Sequence, residues 1–173
     1  MAKAVVSTIG SDRPGLIADI TSRAQDAGLN IEDSRMTVLG GEFAMLMAVA
    51  GTPEALEHFE SALKEISTDN LAYLFRNTTT TPPEGEMRPY LAQVVALDHP
   101  GIVAAIARFF SARQINIRNL DTSTTPAPHT GTPIFNVTLT ADVPADIRIR
   151  ELKEAFLAFC DDLDLDGSLD SAL

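Results

Sequence analysis

The sequence predicts an α+β chain made of two copies of a βαββαβ unit, and three observations carry that prediction. The stretch DRPGLIADITSRAQDAGLNI, Asp12 to Ile31, returns as DHPGIVAAIARFFSARQINI, Asp98 to Ile117, with seven of twenty residues identical and three more exchanged between branched aliphatics. A self-similarity of this length means a repeated structural unit. Short apolar runs with the two-residue period of strands, and segments with the 3.6-residue period of helices, follow one another in the same order around each copy. Between the copies, 78–88 carries four threonines, two prolines and a glycine and reads as a linker, which sets one domain at 1–77 and the other at 89–173.

The elements can be taken in order. Ala4 to Ile9 is a buried strand ended by Gly10. Asp12-Arg13-Pro14-Gly15 opens a helix, Asp12 as a cap candidate and Pro14 in the first turn, with Ile17, Ile20, Ala24 and Ala27 at helical spacing and Gly28 closing it. Leu29–Leu39 and Phe43–Val49 form a hairpin across Gly40-Gly41, a pair suited to the two positive-φ positions of a tight turn. Thr52-Pro53 caps a second helix whose apolar face is Leu56, Phe59, Leu63 and Ile66, leaving His58 in solvent, and Leu71–Asn77 is the fourth strand.

The second copy repeats this with a strand at Tyr90–Leu97, a helix at Gly101–Arg113, strands at Ile115–Ser123 and Ile134–Thr140, and a helix marked by Ile149, Leu152, Phe156 and Phe159. Seven extra residues fall at 124–133, where a long proline-rich loop is expected in place of the Gly-Gly turn. At the end, DDLDLDGSLD imitates a calcium loop, but its twelfth position is Leu173 instead of a bidentate glutamate, so a last strand with leucines inward is the expectation and no metal is assigned.

Composition narrows function. Net charge is −11, seven of it in residues 1–86 and four in 87–173, and no basic stripe interrupts it. Such a surface repels phosphate backbones, which argues against direct nucleic-acid binding. Cys160 is the single cysteine, which excludes an internal disulfide and fits a reducing compartment. MAKAVVSTIGSD lacks the pattern of a secretory leader and no stretch reaches membrane-spanning length, so a cytoplasmic location is expected. The chain has no CxxC, no aromatic and basic RNA-binding strand, and no Ser/His/Asp, Cys/His or phosphate-loop constellation.

Two βαββαβ units resemble the ferredoxin-like layout, four antiparallel strands with both helices on one face. A D-x-P-G loop between first strand and helix, with an Asn-Ile pair opening the second strand, resembles the ACT domain, a module that binds small effectors, often amino acids. Both copies have it. With NIEDSRMTVLGGEF at 30–43 and the tandem arrangement, the chain resembles the glycine cleavage system transcriptional repressor family. The resemblance implies a non-enzymatic sensor without a cofactor that binds a small amino acid, glycine foremost, and acts through a DNA-binding activator. The alternatives are a regulatory subunit of a separate amino-acid enzyme and a small acylphosphatase-like enzyme.

The residues themselves suit a zwitterion. N–H groups at a helix start attract a carboxylate, and Gly15 and Gly101 admit a ligand to the backbone of Leu16 and Ile102. Asp12 and Asp98, beside Pro14 and Pro100, are equally acceptors for an ammonium or plain helix caps. Arg13 and His99 are loop-tip side chains, the one conspicuous difference between the two motifs. Asn30-Ile31 and Asn116-Ile117 lie a helix length away, about 20 Å at 1.5 Å per residue, so one copy cannot bring its own Asn to its own loop. Two copies related by a two-fold and paired edge to edge would, joining Asn116 to the Asp12 loop and Asn30 to the Asp98 loop. Pairing of two chains into a homodimer is open on the same geometry.

That geometry predicts that Asn116→Ala weakens ligand binding at the Asp12–Gly15 loop by about tenfold to a hundredfold, the worth of about 1.5–3 kcal/mol for a hydrogen bond to a charged group, and spares the Asp98–Gly101 loop. Ligand titration read at the Gly15 and Gly101 amides measures it. Loss confined to the mutated residue's own copy would refute the shared arrangement.

Overall fold

The computed structural model describes all residues except 69, 80–84, 129 and 173, and divides the chain into two compact units, residues 1–82 and 83–173. The central part of the expected linker therefore lies outside the described residues. Its two ends are strand residues.

In the first unit, β1 (Ala2–Ser11), α1 (Leu16–Asp26), β2 (Asn30–Leu39), β3 (Glu42–Gly51), α2 (Pro53–Ile66) and β4 (Leu71–Thr78) follow the predicted order. The strands form one antiparallel sheet in the order β2-β3-β1-β4. The β2–β3 hairpin closes with Leu39 opposite Glu42, and Gly40 (φ 62) and Gly41 (φ 88) supply the left-handed turn that its twist requires. Alternation along the strands sends Ala4, Val6, Phe43, Met45, Met47 and Val49 under the helices, where Ile20, Ala24, Leu56, Phe59 and Leu63 meet them in one core. No residue of β2 is buried. At α2 the expected cap forms: Thr52 Oγ1 accepts from the Ala55 N–H at 3.2 Å, and Pro53 takes the first helical position, where its missing N–H costs nothing. Glu54 in that first turn has its carboxyl held below the usual range by hydrogen bonds from its own backbone N–H and from Thr52.

The second unit has β5 (Met87–Leu97), α3 (Ile102–Ser111), β6 (Asn116–Pro126), β7 (Pro133–Pro144), α4 (Ile149–Asp162) and β8 (Asp166–Ser171), with sheet order β6-β7-β5-β8. Two expectations need correction. The extra residues at 124–133 are not all loop: β6 runs on to Pro126 and β7 starts at Pro133, so the two strands take up part of the insertion and the expected loop shrinks to the residues between them. The threonines 122, 124 and 125 carry the strand outward, and Pro126 and Pro133 pair at the hairpin's end, beyond which a ladder donor is not needed. His129, within the remaining turn, lies outside the described residues. The α3 helix ends at Ser111, two residues before the predicted Arg113, as Gln114 turns into the left-handed region (φ 57), the position that Gly28 (φ 78) fills in the first copy.

The C-terminal acidic run forms β8, with Leu165 and Leu169 buried and Asp166 and Asp170 exposed, as a strand in place of the calcium-loop reading requires. Cys160 is buried behind that strand, against Gly167, where an added Cβ would lie 2.4 Å from its Sγ. Burial first, then the charges of Asp161 and Asp166, push its thiol up to about 11, so it is protonated at neutral pH.

Thr8, on β1, is 3 % exposed and its hydroxyl has no hydrogen-bond partner among the described residues; the corresponding residue of the second copy is Val94. Leaving a buried hydroxyl unpaired costs about 1–3 kcal/mol. Thr8→Val should therefore raise unfolding stability by about 1 kcal/mol in urea denaturation. A loss of stability would show that the hydroxyl has a partner.

Candidate functional site

Each D-x-P-G loop makes one turn between strand and helix, and its geometry differs from the capping expected of it. The N-cap of α1 is Gly15, in the left-handed region at φ 87, and that of α3 is Gly101 at φ 102; neither helix has a side-chain cap. Asp12 and Asp98 are thus not caps. The reason is the glycine: its left-handed turn lets the Leu16 N–H close back on the Arg13 carbonyl at 3.3 Å and carries the aspartate out of reach of the first turn. Pro14 and Pro100 precede the cap and lie outside the first turn. Gly15 and Gly101 themselves accept from Asp19 and Ala105, each at 2.9 Å, so the helices begin on schedule while the N–H groups of Ile17 and Ala18, and of Val103 and Ala104, have no partner among the described residues.

Around the first loop lies an open groove of about 640 Å³ formed by residues 12–18 together with Thr21 and Phe43. Asp12 faces it without a hydrogen bond among the described residues, and Phe43, fully buried, forms its floor. Thr21 donates its hydroxyl proton to the Ile17 carbonyl at 2.8 Å, leaving oxygen lone pairs as acceptors at the groove wall. Thr21 and Phe43 escape the sequence reading because neither belongs to the repeated motif. Thr21 lies one helical turn beyond Ile17, and the alternation in β3 places Phe43 inward, which are the signals that point to them.

Arg13 is not a free loop-tip side chain. Its Nη2 lies 2.7 Å from Asp19 Oδ2, folding the guanidinium over the first turn of α1. In the second copy Asp19 is replaced by Ala105, and His99 instead places Nδ1 3.2 Å from the Pro100 carbonyl. The two helix starts therefore differ electrostatically: α1 carries a carboxylate neutralised by a guanidinium, and α3 carries no acidic residue in its first turn. The side chains of Leu16 and Ile102 are buried in the two cores, so these residues can serve a ligand only through their backbone.

Asn30 and Asn116 open β2 and β6 and are exposed, as is Ile31, whereas Ile117 packs at the edge of the core. Asn30 lies opposite Ala50, itself opposite Lys3, while Asp12 follows Ser11 at the other end of β1. The eight residues between Lys3 and Ser11 span about 26 Å, so the first unit does not bring Asn30 to its own loop. In the second unit Asn116 lies opposite Asp142, itself opposite Pro89, at the same remove from Asp98. Both asparagines precede a register shift, at 31/33 and 117/119. The intervening residues anchor the strands with ion pairs of opposite sense, Glu32 to Lys3 at 2.8 Å and Arg118 to Asp142 at 2.6 Å. Among the described residues no cluster of histidine, cysteine and carboxylate side chains could hold a metal ion.

Comparison with known proteins agrees with this architecture. ACT-domain family models match residues 3–72 and 90–157. The glycine cleavage system transcriptional repressor of Escherichia coli K12 is 31% identical over 166 residues, covering 95% of this chain and 87% of the repressor. A crystal structure provisionally designated a glycine cleavage system transcriptional repressor superposes with a TM-score of 0.72 at 28% identity, over 98% of this chain and 96% of the other. A protein of unknown function from Galdieria sulphuraria superposes at 0.81, also at 28% identity, over 99% of both chains.

Proposed function

The chain belongs to the glycine cleavage system transcriptional repressor family of tandem ACT-domain proteins, and from that premise we propose that it senses glycine at its D-x-P-G loops and passes the signal to a DNA-binding activator. It is a regulatory protein and not an enzyme. The observation that supports ligand binding is the state of the two helix starts: an uncapped N-terminus, a glycine in the left-handed region, and an unpaired aspartate two residues before the proline, in both copies.

The chemistry follows from the charges. A free amino acid presents a carboxylate and an ammonium about one carbon apart. The N–H groups at 17 and 18 and the positive end of α1 receive the carboxylate, Asp12 receives the ammonium, and an opening bounded by Gly15 suits a ligand with no side chain. The same assignment holds for 103, 104, Asp98 and Gly101. The first loop adds a paired Arg13 and Asp19 to this field and the second adds neither, so the backbone N–H groups act alone at 103 and 104.

Action through a partner accords with net charge −11, which disfavours a direct grip on DNA. Among the described residues no helix is long and apolar enough to cross a membrane, and we place the protein in the cytoplasm with its activator.

The test is calorimetric titration of the full chain with the twenty amino acids, followed by Asp12→Asn and Asp98→Asn. Neither aspartate side chain holds the fold through a hydrogen bond, so these variants should melt as the parent does. Each should weaken glycine binding at its own loop by about tenfold to a hundredfold, the worth of a charge-assisted hydrogen bond of about 1.5–3 kcal/mol. Unchanged glycine affinity in the double variant would refute the assignment.

A further inference from the structure

The second unit carries a feature that its first-unit counterpart lacks. Between α3 and α4 runs a groove of about 550 Å³ lined by Arg108, Phe109, Arg113, Phe159, Asp162 and three alanines. Its floor is aromatic: the rings of Phe109 and Phe159 lie 4.9 Å apart between centroids. Arg113 is already oriented, its Cζ 3.8 Å from the centre of the Phe109 ring and its Nη1 donating to the Phe109 carbonyl at 2.8 Å, while its other N–H groups are unengaged. Ser22, Arg23 and Ala27 occupy the corresponding positions of α1, so the combination is not a by-product of the repeat.

The charges of this groove are unusual for the molecule. Nine of the thirteen Lys and Arg residues have a carboxylate within 4.0 Å. Among the described residues Arg108 and Arg113 have none, as Arg23 and Arg76 have none, and Asp162, which lines the same groove, is likewise without an ion pair. Cations near the C-terminal end of α3 suit the helix field, but Asp162 is the last residue of α4, whose final turn has no basic residue, and there a carboxylate is disfavoured. Asp162 thus gains nothing from its own helix end or from an ion pair among the described residues, which leaves its carboxylate available to a ligand.

We propose that this groove binds an α-amino acid with an apolar side chain, at a site separate from the D-x-P-G loops and independent of the reading given to them. Arg108 and Arg113 take the carboxylate, Asp162 takes the ammonium, and the side chain lies on the partly buried Phe159 beside the alanines, Phe109 being buried beneath Arg113. Glycine, with no side chain to cover the rings, is the poor ligand here. Among the described residues neither arginine has a nitrogen within 4.0 Å of an Asp162 oxygen, so the two signs of charge in the groove do not already satisfy each other.

The experiment is a nitrogen-15 NMR titration of the full chain with leucine and phenylalanine, with glycine, and with two leucine derivatives: leucinamide, which lacks the carboxylate, and N-acetyl-leucine, which lacks the ammonium. Leucine or phenylalanine should produce saturable shifts at amides 105–113 and 155–162 with a dissociation constant of about 1 mM or lower, and glycine and both derivatives should bind at least about tenfold more weakly. Arg108→Gln and Asp162→Asn should each weaken leucine binding by about tenfold or more. Asp162→Asn should melt no lower than the parent, because it removes a carboxylate from a helix C-terminus, so its loss of binding cannot be laid to unfolding. The proposal is overturned if neither leucine nor phenylalanine gives a saturable response up to about ten times that concentration. It is equally overturned if N-acetyl-leucine binds as tightly as leucine, which would make the groove an anion or peptide site, or if the two variants bind leucine unchanged.

Discussion

The left-handed glycine at the junction of first strand and first helix, Gly15 in one copy and Gly101 in the other, is the constraint on which the rest depends. A residue with a Cβ in that conformation costs about 1–2 kcal/mol, so the turn belongs to glycine. Because glycine has no side chain, the helix begins without a cap, and its first N–H groups are left to whatever the groove contains. The same turn buries Leu16 and Ile102, which fix each helix on its sheet, and releases Asp12 and Asp98 from the duty an aspartate ordinarily has before a helix. Structure and binding capacity are thus two consequences of one backbone angle. Of the other two helices, α2 is capped by Thr52, while α4, which starts after Arg148, has no side-chain cap and no left-handed glycine before it.

Much of this was legible in the chain itself, and the reasons differ by element. The repeated D-x-P-G and Asn-Ile pairs locate both loops and both second strands because turn chemistry is local. Thr52-Pro53 and Gly40-Gly41 are read correctly for the same reason. Of the two readings of Asp12, the cap fails because two local signals compete, an aspartate that can cap and a glycine that can turn, and their order in the motif hands the N-cap position to the glycine. A long loop at 124–133 is too simple an expectation, because β-branched threonines extend an edge strand and Pro126 and Pro133 pair at its end. The Arg13–Asp19 pair and the groove on α3 and α4 depend on how a loop folds back on a helix and how two helices face each other, which no period in the sequence encodes.

The two copies share a backbone plan and have diverged in what they display. On the sheet face away from its helices, the first unit shows Ile9, Leu46 and Leu74 exposed; in the second, Val95 keeps an exposed apolar residue in the place of Ile9, while Thr138 and Ser168 stand in the places of Leu46 and Leu74. The second unit's core is richer in aromatic rings, Phe109, Phe110, Phe156 and Phe159 forming a chain of neighbouring rings with centroids 4.9–6.1 Å apart, and this packing creates the platform on which Arg113 lies. The edge strand β2 leaves Met36, Val38 and Leu39 exposed beside unpaired backbone groups, a surface suited to pairing. A regulatory protein needs at least one surface for its ligand and another for its partner, and a duplicated unit supplies room for both to diverge.

The central claim is that the uncapped helix starts are completed by the carboxylate of a bound amino acid. Amide hydrogen exchange of the full chain, with and without saturating glycine, tests it most directly, since an N–H without a partner exchanges readily and one that donates to a ligand does not. The account predicts that glycine slows exchange at Ile17 and Ala18 or at Val103 and Ala104. Saturation with glycine that leaves all four amides exchanging at their original rates would contradict it.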